Sequence, residues 1–233
     1  MLILGLDSSA VAASCAVTQD ETVLAYATVN TKTTHSQTLL PLMTSILSAA
    51  NLQLSDIDAF AVSHGPGSFT GLRIGVSAVK GLAFGDSGAH KPVCGVSTLL
   101  ALAHNLRNLG REVIACAVMD ARRGEVYNAL FRVNTDSVTR LTPDRAIALT
   151  DLGEELIAYD NVLLVGDGAV LAYEHFGGKV AIAGELLRLQ NAASVCFSAN
   201  VNEAITAKEL MPTYIRRPQA EREYKKTQET QGV

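Results

Sequence analysis

The sequence predicts an α/β protein of two lobes, each lobe a mixed sheet with helices on its faces. A chain of 233 residues is long for one small core and short for two independent domains, so one compact two-lobed unit is expected. The hydrophobic fraction is 48%, with 18 Gly and no Trp, so the apolar residues are mostly Ala, Val, Leu and Ile, a composition typical of sheets covered by helices. In addition, one order of strands and helices occurs twice along the chain.

Residues 1–100 predict the order β-β-β-α-β-α-β-α. An apolar run is followed by two further strands joined through a polar turn, which indicates an antiparallel meander. The next strand is reached through a helix, so it should run parallel to its neighbour. Strands are predicted at 2–6, 14–18, 22–29, 59–63 and 92–96, and helices at 37–50, 68–84 and 98–109.

The second half of the chain repeats this order. Because the first strand of each half ends in an aspartate, Asp7 or Asp120, the pattern is that of the duplicated actin, Hsp70 and sugar-kinase architecture. Strands are predicted at 113–119, 125–133, 137–141, 162–165 and 179–183, and helices near 152–159, after the turn 166–168, and near 192–207.

The same pattern predicts the domain organisation. The N-terminal lobe is expected at 1–100 and the C-terminal lobe at 101–215, with the helix near 192–207 able to pack back on the N-terminal lobe. Residues 216–233 hold almost nothing apolar, so we expect them to form a mobile tail.

Charge and cysteine usage exclude several classes of protein. The net charge of -4 argues against a chain that binds nucleic acid by itself, because such binding comes mainly from Lys and Arg neutralising phosphates. The four cysteines lie far apart in apolar stretches, which favours buried, reduced thiols. The N-terminus has no basic region typical of a signal peptide, and no apolar run could span a bilayer, so we expect a cytoplasmic protein without membrane contact.

Polar and glycine-rich turns follow the predicted strands at 2–6, 59–63 and 113–119. Their amides, hydroxyls and carboxylates could face a phosphate or a hydrated Mg²⁺ between the lobes. The alternative is that the aspartates and serines only make turns by hydrogen-bonding nearby amides. The stretch at 64–75 is not a P-loop, since it lacks the Lys-Ser or Lys-Thr pair. The candidates for nucleotide or phosphate binding are Asp7, Ser8, Ser9, Gly65, Gly67 and Asp120.

The predicted helix at 37–50 carries more apolar residues than a helix on a sheet requires. They cover about half of its circumference, where a stripe of roughly 100° is sufficient. The excess indicates either a docking surface for another protein or a well-covered core helix, and the spacing leaves both open.

Six blocks of the sequence resemble the TsaB (YeaZ) family in order and spacing. They are LGLDSS at 4–9, THSQTLLP at 34–41, HGPGSFTGLRIG at 64–75, AVKGLA at 78–83, DARRGEVY at 120–127 and PTYIR at 212–216. The resemblance implies an actin-like fold and a non-catalytic role beside TsaD, the related subunit that transfers threonylcarbamoyl to adenosine 37 of tRNAs reading codons that begin with A.

The resemblance also implies that this chain has lost the chemistry of TsaD. The TsaD family holds a metal with a His-x-x-x-His pair, and Cys94 and Thr98 stand at those positions here. A thiol and a neutral hydroxyl make a poor site for a metal otherwise bound through imidazole. We therefore expect no catalytic residue, metal or cofactor on this chain alone, with ATP and Mg²⁺ entering only in the assembled complex. The superfamily carries an older glycoprotease label, but we identify no candidate nucleophile for a protease in this sequence.

The partners implied by the resemblance are TsaD as a heterodimer, the small ATPase TsaE, and tRNA through the complex, with a homodimer through the same face when TsaD is absent. The contact would use the two N-terminal helices. Its expected residues are His35, Leu39, Leu40, Met43, Ile46, Leu47, Phe69, Gly71, Leu72, Gly75, Val76 and Val79.

Two other functions remain open at the level of sequence. One is an ATP- or metal-dependent transferase that acts on its own and uses Asp7 and Asp120 around Mg²⁺ and phosphate. The other is an RNA contact by basic residues near the C-terminus, although interleaved glutamates make a solvated tail the simpler interpretation. Those basic residues are Arg216, Arg217, Arg222, Lys225 and Lys226.

Overall fold

The computed structural model describes residues 1–31, 33–85 and 91–216. The chain forms two sheets. We call the first sheet with the helices packed on it the N-lobe, and the second sheet with its helices the C-lobe. The N-lobe sheet has the strand order β3-β2-β1-β4-β5. Its strands are β1 (Leu2–Asp7), β2 (Ala13–Gln19), β3 (Thr22–Val29), β4 (Ala59–Gly65) and β5 (Val93–Ser97).

The pairing in the N-lobe sheet follows the sequence prediction. Strands β1, β2 and β3 form the antiparallel meander, with Leu2 opposite Gln19 and Asp7 opposite Ser14. Strand β4 runs parallel to β1, and β5 runs parallel to β4. The predicted meander and the predicted parallel strands are therefore confirmed.

Three helices follow the strands of the N-terminal half, namely α1 (His35–Ala49), α2 (Phe69–Gly85) and α3 (Thr98–His104). Helices α1 and α2 pack on the N-lobe sheet, where their apolar side chains join Leu4, Leu6 and Phe60 in one core. Ser68 caps α2, since its hydroxyl accepts a hydrogen bond of 3.3 Å from the Gly71 amide. Helix α3 is shorter than predicted and ends at His104, followed by turns.

The C-lobe sheet has the order β11-β10-β6-β7-β8, and a further strand, β9, pairs with β7. The sequence did not predict β9, because a segment of four residues is recognisable only through its pairing with β7. The strands are β6 (Val113–Asp120), β7 (Glu125–Val133), β8 (Val138–Arg140), β9 (Arg145–Ala148), β10 (Val162–Val165) and β11 (Ala181–Ile182), and the helices are α4 (Leu149–Leu156), α5 (Ala169–His175), α6 (Glu185–Arg188) and α7 (Ala192–Ser198).

The last predicted helix, near 192–207, was too long. Helix α7 ends at Ser198, a turn of 3-10 helix follows at Val201–Glu203, and Ile205 then pairs with Val93 at the edge of the N-lobe sheet. Asn200 stops the helix, since its side chain accepts a hydrogen bond from the Asn202 amide and caps the next turn.

Helix α7 belongs to the C-terminal half of the sequence but packs on β1 and β2 of the N-lobe. The absence of a side chain at Gly5 permits this contact, because a Cβ there would lie 2.5 Å from Cys196 Sγ and 2.6 Å from the Ala192 carbonyl oxygen. Helix α3 packs on both the C-lobe sheet and α7, so the two helices join the lobes.

All four cysteines are free and buried, as their apolar surroundings predicted. Among residues 1–31, 33–85 and 91–216, no helix has the length and apolar character needed to cross a membrane.

Candidate functional site

A cleft of about 440 Å³ lies between the lobes. Its N-lobe wall comes from the β1–β2 turn and the start of α2, and its C-lobe wall comes from the β6–β7 turn and the end of β10. The lining residues are Ser9, Ala10, Val11, Gly67, Ser68, Phe69 and Thr70 on one side and Met119, Asp120, Ala121, Arg122, Tyr127 and Asp167 on the other.

Asp7 does not line this cleft and is completely buried beneath it. Its Oδ1 accepts hydrogen bonds from the Ser9 amide at 2.9 Å and the Ser9 hydroxyl at 2.7 Å, and its Oδ2 accepts one from the Ser63 hydroxyl. Burial raises the pKa of the Asp7 carboxyl above its ordinary value, while these hydrogen bonds act in the opposite direction. Oδ1 therefore holds the turn, as in the turn-forming alternative, and Oδ2 joins the turn to Ser63 on β4.

The neighbouring turn residues are also engaged by the protein. The Ser8 hydroxyl donates to the Gly71 carbonyl at 2.9 Å, and a Cβ at Gly75 would lie 2.5 Å from Ser8 Oγ. The Ser68 amide donates to the Ser9 carbonyl at 2.7 Å. The small residues of α2 thus let the β1–β2 turn lie directly on the helix, which is the close backbone approach expected of a glycine-lined face.

The C-lobe wall of the cleft carries two carboxylates. Asp120 is exposed and its Oδ1 accepts a hydrogen bond of 2.6 Å from the Arg122 amide. Asp167 accepts one of 2.8 Å from Gln190, and burial raises the pKa of its carboxyl to about 6, with smaller contributions from the charges of Asp120 and Asp7.

The sequence prediction did not include Asp167. Like Asp7 and Asp120, it follows a buried strand, and this position in the turn after β10 was the signal that could have revealed it. Within the described ranges, no three His, Cys, Asp or Glu side chains are grouped to hold a metal ion.

Cys94 lies near the start of β5 and Thr98 is the first residue of α3; the resemblance to the family placed these two residues at the His-x-x-x-His pair of TsaD. The Cys94 thiol donates to the Asn200 carbonyl at 3.7 Å, and burial raises its pKa. Thr98 is fully buried, and its hydroxyl has no hydrogen-bond partner in the described part of the chain.

A second concave surface, the α1–α2 groove, lies on the N-lobe and has a volume of about 520 Å³. Leu40 and Ile74 supply its apolar surface, and His35 and Arg73 its polar groups. Leu40 is 46% exposed, which is high for a leucine on a helix that covers a sheet. The full lining is His35, Ser36, Leu39, Leu40, Thr70, Arg73, Ile74, Ser77 and Ala78.

Most residues of the docking surface that the sequence predicted are buried in the structure. Leu39 is 1% exposed, and most of its predicted neighbours on the surface form the N-lobe core instead. The apolar arc of α1 therefore mainly covers its own sheet, and only three of the twelve predicted residues, namely His35, Leu40 and Phe69, keep a solvent-accessible side chain. The buried members are Leu39, Met43, Ile46, Leu47, Gly71, Leu72, Gly75, Val76 and Val79. The prediction missed the groove residues Arg73, Ile74, Ser77 and Ala78.

The groove and the cleft are neighbours. Thr70, near the start of α2, lines both of them. His35 lines the groove, and its Nε2 lies 2.7 Å from the carbonyl oxygen of Ala10, which lines the cleft.

Arg216 does not begin a mobile tail, in contrast to the prediction. Its guanidinium forms an ion pair with Glu125 and donates a hydrogen bond of 3.0 Å to the Ala121 carbonyl. Its side chain is only 14% exposed, so it is not presented to an RNA partner. The other residues of the predicted RNA contact, from Arg217 onward, lie outside the described residues.

Two tandem lobes, a cleft between them and an aspartate at the end of each first strand define an actin-like α/β protein. Residues 22–224 match the family model of the tRNA N6-adenosine threonylcarbamoyltransferase TsaD. The tRNA threonylcarbamoyladenosine biosynthesis protein TsaB of Bacillus subtilis is 30% identical over 98% of this chain and 100% of its own length. The TsaB protein of Haemophilus influenzae is 33% identical over 78% of this chain and 80% of its own.

A solved structure agrees with these relatives. YeaZ from Pseudomonas aeruginosa superposes with a TM-score of 0.76 at 27% identity, over 91% of this chain and 99% of that one. The chain belongs to the TsaB (YeaZ) family.

Proposed function

We propose that the chain is a non-catalytic scaffold and activator subunit for the formation of N6-threonylcarbamoyladenosine at position 37 of tRNAs that read codons beginning with A. It would act by forming a heterodimer with a TsaD-type transferase. The observation that carries this proposal is the apolar groove between α1 and α2, which the described residues of the chain leave open.

The composition of the groove suits a protein partner. Its lining includes the apolar side chains of Leu40, Ile74 and Ala78, and the exposed guanidinium of Arg73 can hydrogen-bond to a partner. Small residues such as Ser77 and Ala78 allow a second helix to approach α2 closely.

A related subunit is the natural occupant. The TsaD family model matches residues 22–224, a range that includes both α1 and α2. A TsaD-type subunit would therefore present an equivalent pair of helices, and two such pairs can pack about an approximate two-fold axis. The same reasoning allows a homodimer when the TsaD-type subunit is absent.

The cleft supports a non-catalytic role. Asp7, the acid expected to act on phosphate or Mg²⁺, directs both carboxylate oxygens to Ser9 and Ser63. We therefore propose that ATP and Mg²⁺ act in the assembled cytoplasmic complex, with a TsaE-type ATPase, rather than on this chain alone. With a net charge of -4, the chain would reach tRNA through the complex.

The test is reconstitution with a TsaD-type subunit and a TsaE-type ATPase, followed by a tRNA modification assay from which each subunit is omitted in turn. We expect a stable heterodimer, no modification by this chain alone, and loss of modification when it is omitted. Calorimetry of the isolated chain with Mg·ATP provides the contrast. A heat of Mg·ATP binding that the wild type shows and a folded Asp7→Ala variant lacks would favour the ATP-dependent transferase and contradict the scaffold role.

A further inference from the structure

The last described segment of the chain crosses from one lobe to the other. At its start, the amides of Val93 and Ile205 exchange hydrogen bonds of 3.0 and 2.9 Å at the edge of the N-lobe sheet. Ala207 and Leu210 then enter the N-lobe core, and the Thr213 amide donates to the His64 carbonyl at 2.7 Å. The segment is thus an ordered part of the N-lobe up to residue 213.

Tyr214 connects this segment to both concave surfaces. Its ring stacks on Phe69, which lines the cleft, with ring centroids 4.7 Å apart. Its hydroxyl accepts a hydrogen bond of 2.9 Å from Nε of Arg73, which lines the groove. One side chain therefore touches a residue of each site.

The next two residues attach the segment to the C-lobe. Ile215 packs on the C-lobe core. Arg216 forms its ion pair with Glu125 and donates to the carbonyl of Ala121, a residue of the opposite cleft wall. Such charge-assisted hydrogen bonds are stronger than neutral ones.

The backbone of this segment lies directly on the end of β4, at Gly65. Gly65 has a φ of +137°, and a Cβ at this position would overlap the Thr213 carbonyl oxygen. Glycine is therefore required at position 65 for two reasons: its backbone conformation has a positive φ, and the segment approaches it too closely for a side chain.

We propose that residues 213–216 form a strap that couples the α1–α2 groove to the cleft. The strap sets the spacing of the cleft walls, and a protein that occupies the groove and engages Arg73 changes that spacing through Tyr214 and Arg216. The identity of this occupant, a TsaD-type subunit, rests on the function proposed above, but the coupling within the chain does not.

Chain length makes the strap an effective tether. Four extended residues span at most about 14 Å, at roughly 3.3–3.6 Å per residue. While Tyr214 is held on α2 and Arg216 on the β6–β7 turn, the two cleft walls cannot move far apart. Releasing either anchor should let the lobes sample wider spacings.

The strap can be tested in the full-length chain by measuring the distance between the lobes with spin labels. Suitable sites are Ser55→Cys in the N-lobe and Glu154→Cys on α4, both exposed, whereas the four native cysteines are buried. In the free chain we expect one narrow distance distribution. Arg216→Gln, which removes the ion pair with Glu125, and Tyr214→Ala, which removes the contacts of Tyr214 with Phe69 and Arg73 on α2, should each broaden it.

Arg132→Gln is the matched control. Arg132 forms an ion pair of 3.5 Å with Glu112. Both residues lie in the C-lobe and are distant from the strap in sequence, and Arg132 on β7 pairs with Ile114 on β6. Its loss should leave the distance distribution unchanged. Wild-type distributions in both Arg216→Gln and Tyr214→Ala would overturn the proposal.

A TsaD-type subunit added to the labelled chain extends the test. We expect it to shift the inter-lobe distance in the wild type, and we expect Arg216→Gln to bind the subunit but lose the shift. An unshifted distance in a wild-type complex would also overturn the coupling. Failure of the wild type to bind would instead refute the proposed function, while the distances in the free variants would still decide whether the strap exists.

Discussion

The amide and the hydroxyl of Ser9 both donate to one oxygen of Asp7, at 2.9 and 2.7 Å, in a site that no solvent reaches. With the Ser63 hydroxyl on the other oxygen, three buried donors depend on one carboxylate. Asp7 is therefore a structural residue of the β1–β2 turn.

Asp7→Ala should lower the free energy of unfolding by about 2–4 kcal/mol, because it leaves these buried donors without their acceptor. Urea unfolding of the isolated chain measures this loss. Asp120→Ala, at the corresponding place in the C-lobe, removes only an exposed turn contact and should cost less than about 1 kcal/mol. Equal losses in the two variants would contradict the structural role of Asp7.

Asp167 should make stability depend on pH. Its pKa is about 6 in the folded chain against an ordinary value of 3.8, so the folded state holds the proton more tightly than the unfolded state. The stabilisation from this proton is complete below about pH 4 and is lost as pH rises through about 6, a difference on the order of 2–3 kcal/mol.

Asp167→Asn should remove this dependence, since the amide stays neutral and can still accept from Gln190. Urea unfolding at pH 4 and pH 7 is the measurement: the variant should match the wild type at pH 4 and exceed it at pH 7. Asp160→Asn, at an exposed aspartate, is the control and should keep the wild-type pH dependence. A variant at Asp167 that is no more stable than the wild type at pH 7 would show that burial does not raise this pKa.

Leu40→Glu should weaken heterodimer formation about 10- to 100-fold, the effect of losing a buried leucine contact worth roughly 1.5–3 kcal/mol. Titration calorimetry with a TsaD-type subunit measures the affinity. Leu24→Glu is the control, because Leu24 is 41% exposed against 46% for Leu40 but lies on β3, outside the groove. Equal affinities in the two variants would place the interface elsewhere.

The choice of Leu40 follows from the burial of its neighbours. Leu39 is 1% exposed, and a side chain at Gly75 would meet Ser8 Oγ. Leu39→Glu or Gly75→Arg would therefore disrupt the N-lobe core rather than report on docking.

Gly71→Ala should destabilise the chain by about 1–3 kcal/mol, because its Cβ would overlap the Ser8 carbonyl oxygen. Gly81 is in the same helix, and a Cβ there would meet no other described segment within 4 Å, so Gly81→Ala should instead stabilise α2 by roughly 0.5–1 kcal/mol. Thermal and urea unfolding of both variants provide the comparison. Stabilisation by Gly71→Ala as well as by Gly81→Ala would show that the turn does not lie against α2.

The family and most of the order of elements, apart from β9 and α6, could be derived from the amino-acid sequence. Strand β10 occupies 162–165 as predicted, because a short apolar run that contains β-branched residues and is bounded by a glycine turn favours a buried strand over a helix. Motif blocks such as the one at 64–75 identified the family for a similar reason, since the close packing of Gly65, Gly67 and Gly71 against other backbone leaves little room for substitution.

Which residues of α1 are exposed became clear from the folded structure alone. The apolar arc of α1 has the same pattern whether a sheet or a second protein covers it, so sequence could not tell the buried Leu39 from the exposed Leu40. Nor could sequence show that Arg216 is anchored on Glu125, because this ion pair joins residues that are distant in the chain and meet only when the lobes are assembled. Local spacing determines secondary structure, whereas contacts between distant segments depend on the packing of the whole fold.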